Sequence, residues 1–160
     1  MINHPFPPLY DENSRVLILG SFPSVKSREE MFFYGHPQNR FWRLTARLFD
    51  ADEPHTVDEK RVLMLAYHIA MWDTIRSCTI TGSSDSSIRD AVPNDLSVIL
   101  DGSKVRHIFC NGATSYKLYM KYQYKSTGIA AVKLPSTSPA NAAFGMDRLA
   151  KEWEIIKEYL

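Results

Sequence analysis

Four short runs of apolar and β-branched residues recur along the chain, each bounded by glycine, proline, asparagine or aspartate. The runs are Arg15–Leu19, His68–Trp72, Arg106–Cys110 and Ile129–Leu134. Runs of this length and composition are typical of strands that are buried on both faces of a sheet. We therefore predict four buried strands.

Segments with apolar residues at helical spacing alternate with these runs. They are Arg40–Phe49, Val57–Ala66, Leu96–Leu100, Ala113–Tyr122 and Met146–Leu160. In the last segment, Leu149, Trp153, Ile156 and Leu160 recur every three or four residues and so share one helix face. The alternation predicts an α/β fold, a single-domain three-layer sandwich in which helices flank a central, mainly parallel four-stranded sheet.

Length and composition fit one globular domain over residues 1–160. The chain is 44% hydrophobic and 23% charged, within the ordinary range for such domains. No apolar run approaches the roughly 20 residues that a membrane span requires, and the first ten residues lack the charged and apolar regions of a signal peptide. We expect a monomeric cytoplasmic protein with no membrane partner.

The two cysteines do not indicate a metal centre. Cys78 and Cys110 stand alone, without a C-x-x-C pair or a histidine at ligand spacing. Neither a zinc site nor an iron–sulfur cluster can be built on them. We predict reduced, buried thiols, no metal site and no cofactor.

The segments that follow the predicted strands form a candidate binding edge, since ligands of parallel sheets bind outside the carboxyl ends of the strands. These segments are Gly20–Ser24, Asp73–Ser77, Asn111–Ala113 and Pro135–Asn141. Their small and hydroxyl residues allow the backbone to approach a ligand and leave N–H groups free as donors. By contrast, the serine-rich segment Gly82–Ser87 is predicted to be a surface loop.

Positive charge is concentrated in one part of a nearly neutral chain. The formal net charge is +1, yet residues 102–146 contain no Asp or Glu. Lys117 and Lys121 lie there in a predicted helix in which tyrosines alternate with lysines. These lysines either complement the helix dipole or contact the phosphates of a nucleic acid, and the pattern leaves both possibilities open.

Two motifs give the candidate edge a family resemblance. The turn Gly20-Ser21-Phe22-Pro23-Ser24 is followed by an aromatic cluster and then by His36-Pro37-Gln38-Asn39-Arg40-Phe41-Trp42. This arrangement resembles the first motif of the uracil-DNA glycosylase superfamily, and Leu134-Pro135-Ser136-Thr137-Ser138-Pro139 resembles its second motif. The stretch Phe109-Cys110-Asn111-Gly112 is also similar to the end of the family's third strand.

One position departs from the mismatch-specific uracil or thymine branch of that superfamily. The branch holds the attacking water with an asparagine of the turn, and here that position is Phe22. A Gly-Ser-Phe-Pro-Ser turn resembles instead the hypoxanthine-DNA glycosylase subgroup, which takes its catalytic amide from the element that contains Asn39. The resemblance implies a DNA base-excision repair hydrolase for DNA with a deaminated base, above all hypoxanthine in deoxyinosine, with uracil as a further substrate.

The resemblance also implies roles for Asn39 and Tyr34. Asn39 would orient a water through its side-chain oxygen, although an asparagine before an apolar-periodic segment is also a good helix N-cap. The two roles are compatible. A target base must leave the duplex and be caught by stacking, and Tyr34 is the candidate platform. Phe32 or Phe33 is assigned to the core.

Further residues are implied as contacts to the base and to DNA. The base-binding turn comprises Gly20, Ser21, Phe22, Pro23 and Ser24, whose backbone N–H groups would stabilise charge on the leaving base. Phe22 would line the pocket or pack under the turn. Asn111 would read the base edge or form a turn before a glycine. The predicted DNA-binding residues are Ser136, Thr137, Ser138, Lys117 and Lys121.

His36 and Asp73 are auxiliary candidates for the site. His36 could act as an acid, but its place before a proline favours a structural hydrogen bond. Asp73 could cap a helix that begins at Thr74, pair with Arg76, or share the water with Asn39. The sequence leaves these alternatives open.

The rival hypothesis is a non-catalytic nucleic-acid or nucleotide-binding module that keeps the pocket but lost its chemistry with Phe22. No lysine is assigned as a nucleophile, so a lyase step is not expected, although Lys26 lies close to the first turn. A doubly wound nucleotide enzyme is disfavoured because G-x-G-x-x-G and G-x-x-x-x-G-K-[ST] are both absent. Release of free base from a deoxyinosine oligonucleotide separates an enzyme from a binding module.

Overall fold

The computed structural model describes all 160 residues, and its centre is a four-stranded parallel sheet. The strands of the whole chain are β1 Ile2–Asn3, β2 Val16–Gly20, β3 Ile69–Asp73, β4 Ile75–Thr79, β5 Arg89–Pro93, β6 His107–Asn111 and β7 Val132–Leu134. The order across the central sheet is β3-β2-β6-β7, and each neighbouring pair is parallel. The predicted central sheet is confirmed.

Helices connect these strands. They are α1 Val25–Glu30, α2 Phe41–Leu48, α3 Val57–Ala66, α4 Ser97–Gly102, α5 Ala113–Tyr122, α6 Tyr124–Thr127 and α7 Met146–Trp153. Two 3₁₀ helices are added at Asp85–Ser87 and Glu154–Tyr159. None of the helices has the length and apolar character needed to cross a bilayer.

The residues of β2 point alternately to the two faces of the central sheet and so define two cores. Val16 and Ile18 pack with residues of α2, α3 and α7, whereas Leu17 and Leu19 pack with residues of α4 and α5. All four side chains are fully buried. A parallel sheet that is apolar on both faces needs helices on both sides, and the predicted three-layer sandwich is confirmed.

A second sheet, which the sequence analysis did not predict, is formed by β1, β4 and β5 in antiparallel pairing. The predicted edge segment Asp73–Ser77 is the end of β3 followed at once by β4, and no helix begins at Thr74. The N–H groups of Thr74 and Ile75 donate to the carbonyl oxygens of Gly20 and Ser21 at 2.8 and 3.1 Å. These bonds keep the backbone extended where a helix was expected.

Two further elements differ from their predicted bounds. The strand expected at Ile129–Leu134 is only three residues long, because Gly128 ends α6 with a φ of 71° and the chain then needs several residues to return to the sheet. The final helix ends at Trp153 and continues as a 3₁₀ helix. The other predicted bounds agree with the structure within two residues.

Candidate active site

A cleft of about 1030 Å³ lies at the carboxyl ends of the central strands. It is lined by residues 20–24 after β2, by Asp73 at the end of β3, by Asn111 at the end of β6 and by residues 135–141 after β7. The sequence-predicted segments therefore converge on one site. Residues 83–86 also line it, so the segment predicted as a plain surface loop forms one wall of the cleft.

The turn after β2 offers backbone donors to this cleft. The N–H groups of Phe22 and Ser24 make no hydrogen bond within the protein. The Ser24 side chain caps α1 by accepting from the N–H of Ser27 at 3.1 Å. Phe22 is only 6% exposed and packs with Ile75 and Cys78. Its ring thus supports the turn from below as well as contributing to the cleft wall.

A hydrogen-bonded row of three side chains links Asn39, Thr137 and Asn111. The Thr137 hydroxyl donates to Oδ1 of Asn39 at 2.8 Å and accepts from Nδ2 of Asn111 at 3.0 Å. The Thr137 N–H donates to Oδ1 of Asn111 at 3.0 Å. Thr137 is fully buried, so this row is fixed from inside the protein.

The orientation of the Asn39 amide follows from these contacts. Its Oδ1 also accepts from the backbone N–H of Phe41 at 2.9 Å, and a backbone N–H can only donate, which identifies the oxygen end of the amide. Both lone-pair directions of Oδ1 are then occupied. This geometry does not support the predicted water contact through Oδ1. The Nδ2 group has no hydrogen-bond partner in the protein and is therefore the end of the amide that is available to a ligand in the cleft.

Arg40 holds the loop after β7, which contains Thr137, in place. Its guanidinium donates to the carbonyl oxygens of Ser138 at 2.9 Å and Asn141 at 3.1 Å, and also to that of Phe144. Its backbone N–H donates to the carbonyl oxygen of Thr137 at 3.1 Å. This set of contacts fixes the loop after β7.

A buried carboxylate faces the same cleft. Oδ2 of Asp73 lies 2.7 Å from Nε2 of His4, and the two side chains are only 6% and 3% exposed. Oδ1 of Asp73 has no hydrogen-bond partner in the protein and is not sealed from the cleft. A Cβ on Gly20 would lie 2.4 Å from this oxygen and 3.3 Å from the Tyr34 hydroxyl. Only glycine permits this approach.

Tyr34 lines the cleft with its ring packed on Phe41, at a centroid distance of 4.3 Å and an interplanar angle of 30°. One face of the phenol ring is therefore covered, and a base could use only the other. Burial, followed by the negative charge of Asp73, raises the pKa of Tyr34. The phenol stays protonated at neutral pH and can donate a hydrogen bond.

A second carboxyl group, that of Asp85, also lines the cleft. Its Oδ1 accepts from the Ser21 hydroxyl at 2.8 Å. Partial removal from water raises the pKa of Asp85, the Ser21 hydrogen bond opposes that shift, and the charge of Asp73 adds to it. The loop that carries Asp85 is tied to α1 by two contacts, from Arg28 to Gly82 and from the N–H of Val25 to Ser83.

Comparison with known proteins identifies the family of this site. A family model described as the uracil DNA glycosylase superfamily matches residues 7–159. The chain belongs to this superfamily. The resemblance seen in the sequence motifs is therefore confirmed.

Two curated relatives and one solved structure illustrate this membership of the uracil DNA glycosylase superfamily. A Methanosarcina acetivorans protein named hypoxanthine DNA glycosylase is 36% identical over 160 residues, with 98% of each chain covered. A Methanosarcina barkeri protein of the same name is 34% identical over 112 residues, covering 69% of this chain and 71% of the relative. A solution NMR structure from M. acetivorans, described as that of a candidate uracil DNA glycosylase, matches with a TM-score of 0.82 at 34% identity, covering 98% and 97% of the chains.

Some residue roles expected from the superfamily resemblance change with this geometry. Thr137 was expected to hold a phosphate, but its side chain is fully buried and its hydroxyl is used between two asparagines. That expectation is wrong. Asp73 neither caps a helix nor pairs with Arg76, because β4 follows it and its partner is His4. The Asn111 amide donates one N–H to Thr137 and accepts one hydrogen bond from it. Its second N–H and the second lone pair of Oδ1 stay available to a ligand.

Other residues lie where the sequence analysis expected them. Phe32 and Phe33 are buried in the core. Nδ1 of His36 accepts from the N–H of Gln38 at 3.1 Å, which is the structural hydrogen bond expected of it. Ser136 and Ser138 are half-buried at the cleft. Each accepts from a backbone N–H two residues further along the chain.

The two cysteines are buried and free, as predicted. Burial raises the pKa of Cys110 to about 12 and also raises that of Cys78. Both thiols therefore stay protonated at neutral pH and behave as small apolar groups. They have no part in the chemistry of the cleft.

The predicted DNA-binding lysines lie outside the cleft. Lys117 and Lys121 are exposed on α5, whose first residues Ala113 and Thr114 line the cleft. At the usual rise of an α-helix they lie about 6 and 12 Å from that end of the helix. Their role in DNA binding stays a prediction.

Three residues of the site were missed in the sequence. His4 lies among the Pro-rich first ten residues, which show no helix or strand periodicity, and its partner Asp73 is 69 residues away. Asp85 sits among serines that are typical of a loop, and no role was assigned to Arg40. Arg40 alone carried a usable signal, since it stands inside the motif that contains Asn39.

Replacing Thr137 by valine tests the row of three side chains. Valine keeps the shape but removes the hydroxyl, so we expect a loss of about 1–3 kcal/mol in the free energy of unfolding, measured with denaturant. The side-chain NH₂ resonances of Asn39 should broaden or split in the NMR spectrum. The control is Thr137→Ser, which keeps the hydroxyl and should leave those resonances unchanged. Unchanged Asn39 resonances in Thr137→Val would contradict the proposed row.

Proposed function

We propose that this chain is a monofunctional DNA glycosylase of base-excision repair, acting in the cytoplasm as a monomer on nucleoid DNA. Its main substrate is hypoxanthine in deoxyinosine, and uracil is a second one. The full-length relative named hypoxanthine DNA glycosylase supports the substrate. The observation that carries the proposal is the Asn39 amide, held by its oxygen with its nitrogen free toward the cleft.

An amide is sufficient for this chemistry because the reaction needs positioning more than proton transfer. A base can leave as an anion when donors stabilise its charge, and the remaining sugar is an oxocarbenium-like cation that water attacks readily. Nδ2 of Asn39 would donate to one lone pair of the water oxygen and leave the other for C1′. The gain comes from holding the water at the reacting carbon.

The turn and Asp73 together fit the lactam edge of a deaminated base. The free N–H groups of Phe22 and Ser24 would donate to its carbonyl oxygen, and Oδ1 of Asp73 would accept from its N–H. Hypoxanthine and uracil both carry this N–H beside a carbonyl. Adenine and cytosine carry a lone pair at the equivalent nitrogen, which a carboxylate repels. Hypoxanthine keeps its N1–H when it leaves through N9, so the contact persists during the reaction.

Stacking would hold the flipped base in place. Taking a base out of the duplex costs a few kcal/mol, and a base–aromatic stack is worth roughly 1–3 kcal/mol. Tyr34 lines the cleft with one ring face on Phe41, so the base would stack on its other face. Ser136 and Ser138 lie at the mouth of the same cleft and keep hydroxyl donors for phosphate oxygens.

A Schiff-base step is not part of the proposal. Lys26, the lysine closest in sequence to the turn, lies 3.7 Å from Glu30 and 4.0 Å from Glu29 on the surface of α1. Its ammonium group is thus directed along the helix and is not desolvated, as an amine nucleophile would have to be. No metal or cofactor is needed for the water attack described above.

Asn39→Asp is the sharpest test of this mechanism. Aspartate keeps an oxygen that accepts from Phe41 and Thr137, but it replaces the free NH₂ donor by a second oxygen that only accepts, and it adds a negative charge that repels the leaving base. We expect a folded protein that binds deoxyinosine DNA with nearly unchanged affinity and excises hypoxanthine about 10²–10³ times more slowly in single-turnover assays. Asn39→Ala should lose as much activity and, in addition, about 0.5–2 kcal/mol of unfolding free energy, because it also loses the contact to the N–H of Phe41 at the start of α2.

Two outcomes would contradict the proposal in different ways. A folded Asn39→Ala with the wild-type excision rate would remove Asn39 from the mechanism and leave Asp73 and His36 as candidates. A wild-type protein that binds deoxyinosine DNA but releases no free base would favour the non-catalytic binding module. Strand cleavage at the abasic site, resolved on a gel, measures the excision rate. Chromatography measures the release of free base.

Lys117 and Lys121 provide a separate test of DNA binding. If each neutralises one phosphate, each Lys→Ala change should reduce the slope of log affinity against log salt by about one unit. Single-turnover excision at saturating enzyme should stay near the wild-type rate. Lys151→Ala is the matched control, because this exposed lysine lies on α7, which packs on the other face of the sheet. Unchanged slopes for both α5 variants would show that these lysines only complement the helix dipole.

A further inference from the structure

The N-terminal segment is held against the strands that end at the cleft. β1 pairs with β4, with Ile2 opposite Cys78, and the N–H of His4 donates to the carbonyl oxygen of Arg76 at 2.7 Å. Leu9 and Met71 exchange two backbone hydrogen bonds at 2.9 and 2.8 Å. This anchoring places residue 4 beside the junction of β3 and β4, although it lies outside residues 7–159 that match the superfamily.

The His4 ring is enclosed by aromatic side chains on several sides. Ring centroids of Phe6, Phe22, Trp72 and Phe33 lie 4.5, 6.0, 6.4 and 6.5 Å from it. Its side chain is only 3% exposed. The ring therefore has little freedom to rotate, and its one strong polar contact is the carboxylate of Asp73.

Hydrogen bonding defines which nitrogen of His4 carries the proton. Nε2 faces a carboxylate oxygen, which accepts, whereas Nδ1 lies 3.5 Å from the N–H of Phe6. Nε2 then carries the hydrogen and donates to Oδ2 of Asp73 at 2.7 Å. This single N–H group satisfies one carboxylate oxygen and does not bond to the other.

The contact with His4 fixes the Asp73 carboxylate and makes its two oxygens different, because only Oδ2 is hydrogen-bonded. With Oδ2 bound to His4, the carboxylate cannot turn about its Cβ–Cγ bond without losing a buried hydrogen bond. Oδ1 is then fixed above Gly20, near the Tyr34 hydroxyl, with no protein partner and with access to the cleft. A nearly buried acceptor aimed at an open cleft is suited to bind a donor of the ligand.

We propose that His4 is a positioning residue that holds Asp73 so that its Oδ1 accepts the lactam N–H of the target base. This inference rests on the function proposed above and extends it to a residue outside the superfamily motifs. Binding groups have to be held within about 0.5 Å of their productive position to be effective. A histidine ring packed among aromatic rings provides that rigidity.

The alternative is that the pair only fastens the N-terminal segment to β4. In that case, changes at His4 would lower stability without altering which bases are accepted. The two roles are separated by measuring base preference, because preference between two substrates of the same enzyme does not depend on how much protein is folded.

The experiment compares His4→Gln and His4→Leu with wild type on two oligonucleotides, one with deoxyinosine and one with N1-methyl-deoxyinosine, which lacks the lactam N–H. Glutamine can place an amide N–H near the position of Nε2, whereas leucine fills the space without a donor. We expect His4→Leu to lower single-turnover excision of hypoxanthine about 10- to 100-fold, the range for losing one hydrogen bond to a charged group. Its preference for hypoxanthine over the methylated base should fall by a similar factor. His4→Gln should restore most of both.

A double-mutant cycle and a surface control complete the test. Adding His4→Leu to Asp73→Ala should cause no further loss of hypoxanthine excision, since His4 acts through Asp73. His55→Gln, at a histidine side chain that is 75% exposed, should behave as wild type. If His4→Leu does not fold, His4→Gln and Asp73→Ala still test the same contact, the first by retaining base preference and the second by losing it.

Failure of this inference is distinguishable from failure of the proposed function. Wild-type protein that releases hypoxanthine, together with a folded His4→Leu variant of unchanged rate and base preference, would overturn the role of His4 alone. Wild-type protein that releases no base would overturn the proposed function itself. A loss in His4→Leu that is equal for both substrates would assign His4 to structure only.

Discussion

The site depends on how closely the ends of β2 and β3 approach each other. Gly20 and Asp73 are register partners at the last position of these two strands, and a Cβ at residue 20 would lie 2.4 Å from Oδ1 of Asp73. Any other residue would push the carboxylate away or bend β2. The missing side chain therefore creates the space in which the carboxylate, the Tyr34 phenol and the turn face one ligand.

The central sheet and its binding edge could be predicted because their signals are local. β2 and the middle of β6, Ile108–Cys110, are continuous apolar runs of the kind found in strands covered on both faces, and the carboxyl ends of parallel strands necessarily share one edge. The antiparallel sheet could not be predicted in the same way. β4 and β5 mix apolar residues with Arg76, Arg89 and Asp90, and their pairing is visible only once the strands are adjacent.

The side-chain partners of the site were the hardest to predict, because each of them is remote in sequence. His4 and Asp73 are 69 residues apart, and Thr137 lies 98 residues from Asn39. The sequence correctly placed Asn39 at the binding edge but could not say which end of its amide faces the ligand. That choice is made by Thr137, a residue whose own sequence context suggested an exposed hydroxyl loop.

The antiparallel sheet also explains why an amide that faces the cleft is better placed at residue 39 than in the turn. Residue 22 is only 6% exposed and packs on Ile75 of β4 and on Cys78. An amide in that apolar cluster would need a buried partner, and a polar group buried without one costs roughly 1–3 kcal/mol. Phenylalanine avoids this cost. Asn39, by contrast, has its oxygen satisfied by Phe41 and by Thr137, so an amide there keeps its nitrogen available to the cleft without leaving a polar group unpaired inside the protein.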